Sequence, residues 1–391
     1  MNVKPMSFKM VQLYLLSMLF FTANSVLTVI FPLQAEHYGF KTSEIGIMMG
    51  LYMFVCMFLR PFAGQMIAKY GVKKVMWTLL IVHALALLLY VWLEVDSLYA
   101  VRSLQGVVTA FFSMSMQIGI ADILRDKDRG QGMAMYSLST VLPGLYGPAL
   151  ALYLWADVQA IYVLVIILAL LPLLLQFRTP FEETKTASKP FSLKLVKESF
   201  LSTPNKQGLM QASTVMLTGA FVFGALNTFL PLYLVTEEIG APVAYLLLQS
   251  IIVVASRYLL RKYIPSDGKW HTNFMLIVLS TSVIGTSLLL FITQVPWLLY
   301  VSAIFNGLVS AMLYPTLITY LSFAIPEKSK YVLLGVFLAS YDLGFALGGF
   351  IMGWVIEWFS YEGLFIVCTV LITLIMLVLF IQKPKELYKQ L

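Results

Sequence analysis

Twelve apolar runs dominate this sequence and decide what it can fold into. They fall near residues 10–35, 43–68, 74–93, 98–122, 131–155, 158–177, 208–235, 242–264, 272–293, 297–324, 332–356 and 363–382. A helix crossing the hydrocarbon core of a bilayer needs about 20 such residues, because nothing in lipid satisfies a bare backbone. The runs leave short connections and one longer linker. Of all residues, 60% are hydrophobic and 12% charged, and the mean hydropathy is +0.86. A soluble domain carries about 25% charged residues. A soluble globular domain and a disordered chain are therefore excluded. The pattern predicts an all-α integral membrane protein with twelve transmembrane helices.

Charge fixes the expected orientation. With the N-terminus cytoplasmic, 22 of the 26 Lys and Arg fall on the cytoplasmic side. Lys41 alone falls outside, and Arg60, Arg102 and Arg257 lie within spans. The outer loops hold Glu36, Glu44, Glu94, Asp96, Asp157, Glu237, Glu238, Glu357 and Glu362. Positive charge stays inside, so both termini are predicted to be cytoplasmic and the location is the cell membrane. The net charge of +7 is thus a topology signal and no sign of nucleic acid. Lys4 and Lys9 precede the first apolar run, and no convincing small-residue cleavage site follows; the reading is a retained span. Cys56 and Cys368 both sit in apolar runs, which gives neither a disulfide framework nor a zinc site.

The two halves repeat at an offset of about 200 residues. Phe31-Pro32-Leu33 recurs as Leu230-Pro231-Leu232, followed by Gly39 and Gly240. Tyr99 with Gln105-Gly106 recurs as Tyr300 with Asn306-Gly307, and Gly144 and Pro148 recur near Gly344 and Gly348. Arg60, eleven residues before Gly71, recurs as Arg257, eleven before Gly268. Such duplication is the mark of transporters that rock two six-helix halves around a central cavity. The predicted division is a lobe over 1–177, a cytoplasmic linker over 178–207 and a lobe over 208–391. Within the linker, Phe191, Leu193, Leu195, Val196 and Phe200 suit an amphipathic helix on the inner leaflet; a solvated connection is the other reading.

Three motifs carry a family resemblance. Gly64-Gln65-Met66-Ile67-Ala68-Lys69-Tyr70-Gly71-Val72-Lys73-Lys74 resembles the G-x-x-x-D-[RK]-x-G-[RK]-[RK] loop between spans 2 and 3 of the major facilitator superfamily. Arg102-Ser103-Leu104-Gln105-Gly106 resembles the fourth-span R-x-x-Q-G motif of its proton-coupled members. Gly144-Leu145-Tyr146-Gly147-Pro148 resembles the fifth-span G-x-x-G-P element of its antiporters, the drug:proton antiporter type, which implies export. The resemblance spans the whole chain. It implies gating roles for Gly64, Lys69, Gly71, Gly147 and Pro148. The loop motif departs from the family at two places: Ala68 stands at the Asp position that helps lock the cytoplasmic gate, and Val72 at a basic one. Asp122, at the inner end of span 4, could take that part with Lys69 or Lys73, or be simply solvated. At a finer level the chain resembles the opine-metallophore (staphylopine-type) exporters, through Arg60-Pro61-Phe62-Ala63-Gly64-Gln65, Gln105 to Ser115, Leu260 to Gly268 and Tyr314-Pro315-Thr316-Leu317. That resemblance implies a carboxylate-rich, metal-chelating cargo.

Buried charge points the same way without any family. An ionisable residue in a span costs about 2.5–3.5 kcal/mol on insertion scales, so function is its default reading. Arg60 lies about 13 Å up its helix from Lys69, and Asp342 roughly 18 Å along its span from Lys330. Asp342 is the sole acidic residue deep in any span. A site for cationic drugs needs buried carboxylates, and here guanidinium predominates. Guanidinium binds carboxylate in bidentate fashion, so an anionic cargo fits. Structural readings stand beside the functional ones: Arg257 snorkelling to the inner surface, Arg102 tying helices together, Arg60 paired permanently with Asp342. The same Arg60–Asp342 pair, broken on protonation, would be a switch. Asp342 is the leading proton-coupling candidate, and Glu36 the second.

Polar residues of spans 1, 4, 7, 10 and 11 are expected at the cavity or as interhelical hydrogen bonds. They are Asn24, Gln105, Gln117, Asn227, Asn306, Tyr314 and Tyr341. Asn24 and Gln105 are favoured for substrate contact. The histidines, His37, His83 and His271, lie far apart, so no metal site is expected; His83 reads as a hydrogen-bonded interior residue. No phosphate-binding loop or nucleophile elbow occurs. The expectation is a monomeric, cofactor-free, proton-coupled exporter of a small anion, partnered by protons and the bilayer. The rivals are multidrug efflux, a membrane-embedded enzyme, a channel, and uptake in place of export.

Overall fold

The computed structural model describes residues 4–124, 129–177, 179, 181, 193–260, 263–265, 267–325 and 330–381. In chain order the helices are α1 Phe8–His37, α2 Thr42–Tyr70, α3 Val72–Leu93, α4 Leu98–Ile123, α5 Arg129–Leu154, α6 Val158–Gln176, α7 Leu193–Leu201, α8 Lys206–Thr236, α9 Pro242–Leu259, α10 Thr272–Leu288, α11 Leu298–Ala324 and α12 Lys330–Ile381. Among the described residues no strand is present.

Among the described residues, ten stretches are long and apolar enough to cross a membrane, and two of them, Val72–Ile120 and Leu333–Ile381, contain 49 residues each. A continuous helix of that length would reach about 73 Å, against about 30 Å of hydrocarbon. Each breaks near its middle, at Glu94 (φ 46°) and at Ser360 (φ 63°). Two crossings come from each, so the ten stretches agree with twelve spans. α12 is accordingly two helices, one on each side of Ser360.

Contacts divide the chain into two units: Met1–Phe40 with Leu51–Phe191, and Lys41–Gly50 with Ser192–Leu391. In the first unit α1 packs on α5 and α6, and α3 on α4 and α6. Its core centres on a stacked pair, Phe20 and Phe112, with ring centroids 3.8 Å apart. His83 packs on Phe20 at 4.7 Å. It is buried, as expected of an interior histidine, with the Leu168 backbone beside its ring. In the second unit α8 packs on α12, and α11 on α9 and α10. α7, the linker helix, lies against α12. Lys194, Lys197 and Glu198 are exposed on it and Ser199 is buried, so the segment is helical and two-faced.

The internal repeat is visible in backbone geometry. α1 and α8 end in the same motif: the Phe40 amide donates to the Ala35 carbonyl at 2.9 Å, and the Ile239 amide to the Leu234 carbonyl at 3.0 Å. The left-handed residue this termination requires is Gly39 (φ 81°) in one and Glu238 (φ 54°) in the other. Gly39 therefore corresponds to Glu238, two residues before the Gly240 of the sequence match. Gly71 (φ 83°) and Gly268 (φ 72°) do correspond. Close helix approaches repeat too. A Cβ on Gly106 would strike the Tyr52 carbonyl, and one on Gly307 would meet the Gln249 carbonyl and Ile252. Gly147 is covered by Ser25 and Gly348 by the Phe221 carbonyl and Ala225.

Candidate functional site

The first unit holds its charged polar cluster on α1, α2, α4 and α5. Arg102 on α4 is fully buried. Its guanidinium donates to the Leu27 carbonyl of α1 at 2.8 Å and to Gln105 Oε1 at 3.1 Å. It lies 4.8 Å over the Phe31 ring and 5.7 Å over that of Tyr52. A cation removed from water needs this density of hydrogen bonds and ring faces to stay charged. Alongside, Asn24 Nδ2 donates to Thr109 Oγ1 at 3.1 Å and to the Tyr52 hydroxyl at 3.4 Å. The Tyr52 hydroxyl closes the triangle on Thr109 at 3.2 Å. The acceptor Asn24 Oδ1 and the donor Gln105 Nε2 are both buried without a hydrogen bond among the described residues.

Arg60 on α2 is half-buried. The phenols of Tyr52 and Tyr136 are near enough to act on it electrostatically. Tyr136 on α5 donates to the Ser113 carbonyl at 3.4 Å and is hydrogen-bonded to Gln117, which is exposed on α4.

The second unit places Arg257 in the last turn of α9, half-buried. Its Nε is buried and makes no hydrogen bond among the described residues. The groups acting on its charge are two phenols, Tyr341 of α12 and Tyr314 of α11. Tyr314 stacks on Phe337 at 6.2 Å, and Tyr341 faces Phe345 at 6.5 Å. Asp342, next in sequence to Tyr341, is fully buried. Asn306 on α11 is 2% exposed; it donates to Ser302 Oγ at 3.0 Å and to the Tyr245 hydroxyl at 3.5 Å, and Ser302 donates to the Gly285 carbonyl at 2.8 Å. Asn227 on α8 is half-buried, with Nδ2 donating to its own helix at Phe223 (2.7 Å).

The substrate candidates thus separate by accessibility. Arg102, Gln105, Asn24 and Asn306 are buried; Arg102, Asn24 and Asn306 each bridge helices within their own unit, and Gln105 holds Arg102 along α4. Arg60, Arg257, Asn227, Tyr314 and Tyr341 keep accessible surface. Tyr52, Thr109, Tyr136 and Tyr245 join these clusters without having been singled out from sequence. A Tyr in an apolar run reads as an interfacial ring, and only its helix neighbours show which hydroxyl meets which charge.

Of the gating candidates, Gly71 takes the left-handed conformation that joins α2 to α3. Lys69 is exposed, with Nζ 5.1 Å from the Tyr70 ring centroid. Gly64 lies within α2 and Pro148 within α5. Beside Gly147, Tyr146 shares a 2.5 Å hydroxyl contact with Thr22 of α1. Asp122 is exposed near the end of α4. Glu36 is half-buried in the last turn of α1. In the loop before α10, His271 holds both carboxylate oxygens of Asp267 at 2.9 Å and keeps that carboxyl below its ordinary range. Among the described residues no group of three or more His, Cys, Asp or Glu could hold a metal ion.

These two polar clusters, buried in helices that repeat their packing from half to half, have counterparts in known proteins. The profile of the Major Facilitator Superfamily matches residues 13–271 and 268–391. The staphylopine export protein of Staphylococcus aureus (strain Mu50 / ATCC 700699) is 39% identical over 388 residues, 97% of each chain. Among solved structures, the nucleoside transporter NupG aligns with a TM-score of 0.76 at 14% identity, over 96% of this chain and 100% of that one. The human organic anion transporter TETRAN aligns with a TM-score of 0.69 at 16% identity, over 95% and 98%. Profile, full-length relative and fold agree: the chain is a membrane transporter and belongs to the Major Facilitator Superfamily.

Proposed function

We propose that this transporter exports a small, carboxylate-rich metallophore of the opine type, in exchange for protons, by alternating access of its two halves. The carrying observation is Arg257. It is a cation within an apolar bundle, its Nε makes no hydrogen bond among the described residues, and two phenols, of Tyr314 and Tyr341, act on its charge. Two phenols and a guanidinium form a donor set, and its natural complement is a carboxylate. Arg60 with Tyr52 and Tyr136 repeats the arrangement in the first unit. Relatedness along the whole chain to a protein named for staphylopine export supports the same cargo class and direction.

In this reading Arg60, Arg257, Tyr314, Tyr341 and Asn227 meet the substrate. Arg102, Gln105, Asn24 and Asn306 hold the walls and order the polar layer behind them. Asp342, a carboxyl fully withdrawn from solvent, carries the proton, with Glu36 as a second acidic group. Gly64, Lys69, Gly71, Asp122, Gly147 and Pro148 belong to the gating elements. The chain works as a monomer in the cell membrane with both termini cytoplasmic. Its lobes are 1–177 and 208–391, joined by the linker 178–207. Multidrug efflux is the second reading, favoured by the rings of Phe337 and Phe345 beside the tyrosines.

The test is comparison of metabolites excreted by cells with and without the gene. Loss of one metal-chelating amino-acid conjugate from the medium supports the proposal. Unchanged excretion with new drug sensitivity supports the second reading.

A further inference from the structure

Gln117 is exposed on α4, although Ser115, Met116, Gly119 and Ile120 around it are buried. It lies within the apolar stretch Val72–Ile120. A carboxamide turned to hydrocarbon leaves its polar atoms unsatisfied, so the accessible side of Gln117 faces a water-filled space.

The partner of Gln117 fixes how its amide is turned. Tyr136 of α5 is buried, and its hydroxyl donates to the Ser113 carbonyl at 3.4 Å. A phenol has one proton to give, so towards Gln117 the Tyr136 oxygen can only accept. The Gln117 amide acts on that oxygen as a donor, and the atom engaged is therefore Nε2. Oε1, on the other branch of the same planar group, is turned away from Tyr136 and is left as an acceptor on the accessible side. Ser113 and Gln117 are one turn apart on α4, so the phenol grips that turn at two points and holds the carboxamide in one rotation.

Arg60 of α2 is close enough to act on Tyr136 by its charge, and it keeps accessible surface. Around one phenol the first unit thus sets two unlike groups: a guanidinium, which donates, and a carboxamide oxygen, which accepts. A carboxylate complements the first. The second calls for an N–H, and best for a protonated amine, because a hydrogen bond with one ionised partner is about twice as strong as a neutral one. A plain polycarboxylate would set acceptor against acceptor there.

We propose that Gln117 is a specificity-determining residue of the first unit: its Oε1 takes a protonated amine of the cargo while Arg60 takes a neighbouring carboxylate. Amino-carboxylates are thereby selected over carboxylates of the same shape, and Tyr136 is the positioning residue. The inference rests on the anionic cargo proposed above. It adds a requirement that guanidinium alone does not impose, a cationic nitrogen beside the acid.

The test uses the full chain purified in detergent and two probes of one skeleton, iminodiacetate and diglycolate. They differ by a protonated amine in place of an ether oxygen. Dissociation constants are read by calorimetry at neutral pH in metal-free buffer. The native chain is expected to bind iminodiacetate about fivefold more tightly than diglycolate. Gln117→Leu brings that ratio to about one. Tyr136→Phe keeps the ring and loses the hydroxyl, and its ratio falls between; a merely structural role would weaken both probes alike and leave the ratio in place. Gln117→Glu offers the amine a charged acceptor and raises the ratio above the native value, which serves where Gln117→Leu fails to insert. A native ratio near one, a ratio that survives Gln117→Leu, or one unmoved by Gln117→Glu overturns the role of Gln117 and leaves the anionic reading standing. Diglycolate binding that is absent from the native chain, or that survives Arg60→Gln unaltered, overturns the anionic reading and this proposal with it.

Discussion

Arg102 donates to the carbonyl oxygen of Leu27 at 2.8 Å, so a charge in the fourth span completes a hydrogen bond on the first. The same guanidinium holds Gln105 and lies over Phe31 and Tyr52. Its role in this structure is to join helices. Arg102→Ala leaves the buried Gln105 side-chain amide without its partner and opens a cavity, a cost of about 2–4 kcal/mol. The expected outcome is a lower melting temperature of the purified protein in detergent. Arg102→Lys is not a rescue, because one ammonium cannot reach both acceptors in fork geometry. An unchanged melt for Arg102→Ala would contradict this role.

Gly106 and Gly144 are both helical glycines, and they differ in what surrounds them. A Cβ at Gly106 meets the Tyr52 carbonyl and Val55, whereas nothing lies within 4 Å of one at Gly144. Gly106→Ala forces α2 and α4 apart and lowers the yield of folded protein. Gly144→Ala is accepted, helped by the better helix propensity of alanine, about 1 kcal/mol over glycine. Size-exclusion profiles of the two variants check the contrast.

Arg257→Gln is expected to fold normally and to lose transport of an anionic cargo by tenfold or more. The side chain is half-buried and makes no hydrogen bond from Nε among the described residues, so the fold depends little on it. Arg257→Lys retains the charge and loses the fork, and falls between the two. Initial rates of export, compared at equal surface expression, give the answer.

Asp342→Asn fixes a neutral side chain at the proposed proton site. Export in this variant no longer responds to an imposed pH gradient, whereas Glu36→Gln leaves a partial response. Full gradient-driven export by Asp342→Asn would remove Asp342 from the mechanism.

Asp267 gives a pH dependence with a definite sign. Its carboxyl is held below the ordinary range, first by the His271 hydrogen bond and then by the Lys269 amide. A depressed carboxyl stabilises the fold at pH above its unfolded value, and that contribution disappears as pH falls through the folded value. Local protection of the segment before α10 therefore drops on acidification below pH about 4, and Asp267→Asn shows the low-pH behaviour throughout. Hydrogen exchange over this loop, corrected for intrinsic rates, is the measurement.

The fold was legible because lipid leaves so few options. Apolar runs of about 20 residues become helices, since no other open structure satisfies its backbone there. Repeated glycines foretold repeated helix contacts, as Gly106 and Gly307 show. The match of Gly39 to Gly240 misled by two residues, because the left-handed end of α8 is occupied by Glu238, which no sequence rule favours. Buried charge was legible by type and partnership was not. Arg60, Arg102 and Arg257 look alike in sequence, yet Arg102 is enclosed by Leu27, Gln105, Phe31 and Tyr52, while Arg257 faces phenols. That difference depends on which turns of α1, α2, α11 and α12 stand opposite, information spread over segments far apart in the chain.

Guanidinium groups that set the sign of the cargo have a consequence in proteoliposomes: transport of a purified opine-type metallophore under an imposed pH gradient, measured for the native chain and for Arg60→Gln with Arg257→Gln, depends on them. The native chain is expected to show gradient-dependent transport and competition from other multicarboxylates, and the double variant to lose both with its melting temperature preserved. Transport of lipophilic cations that survives removal of both arginines would contradict it.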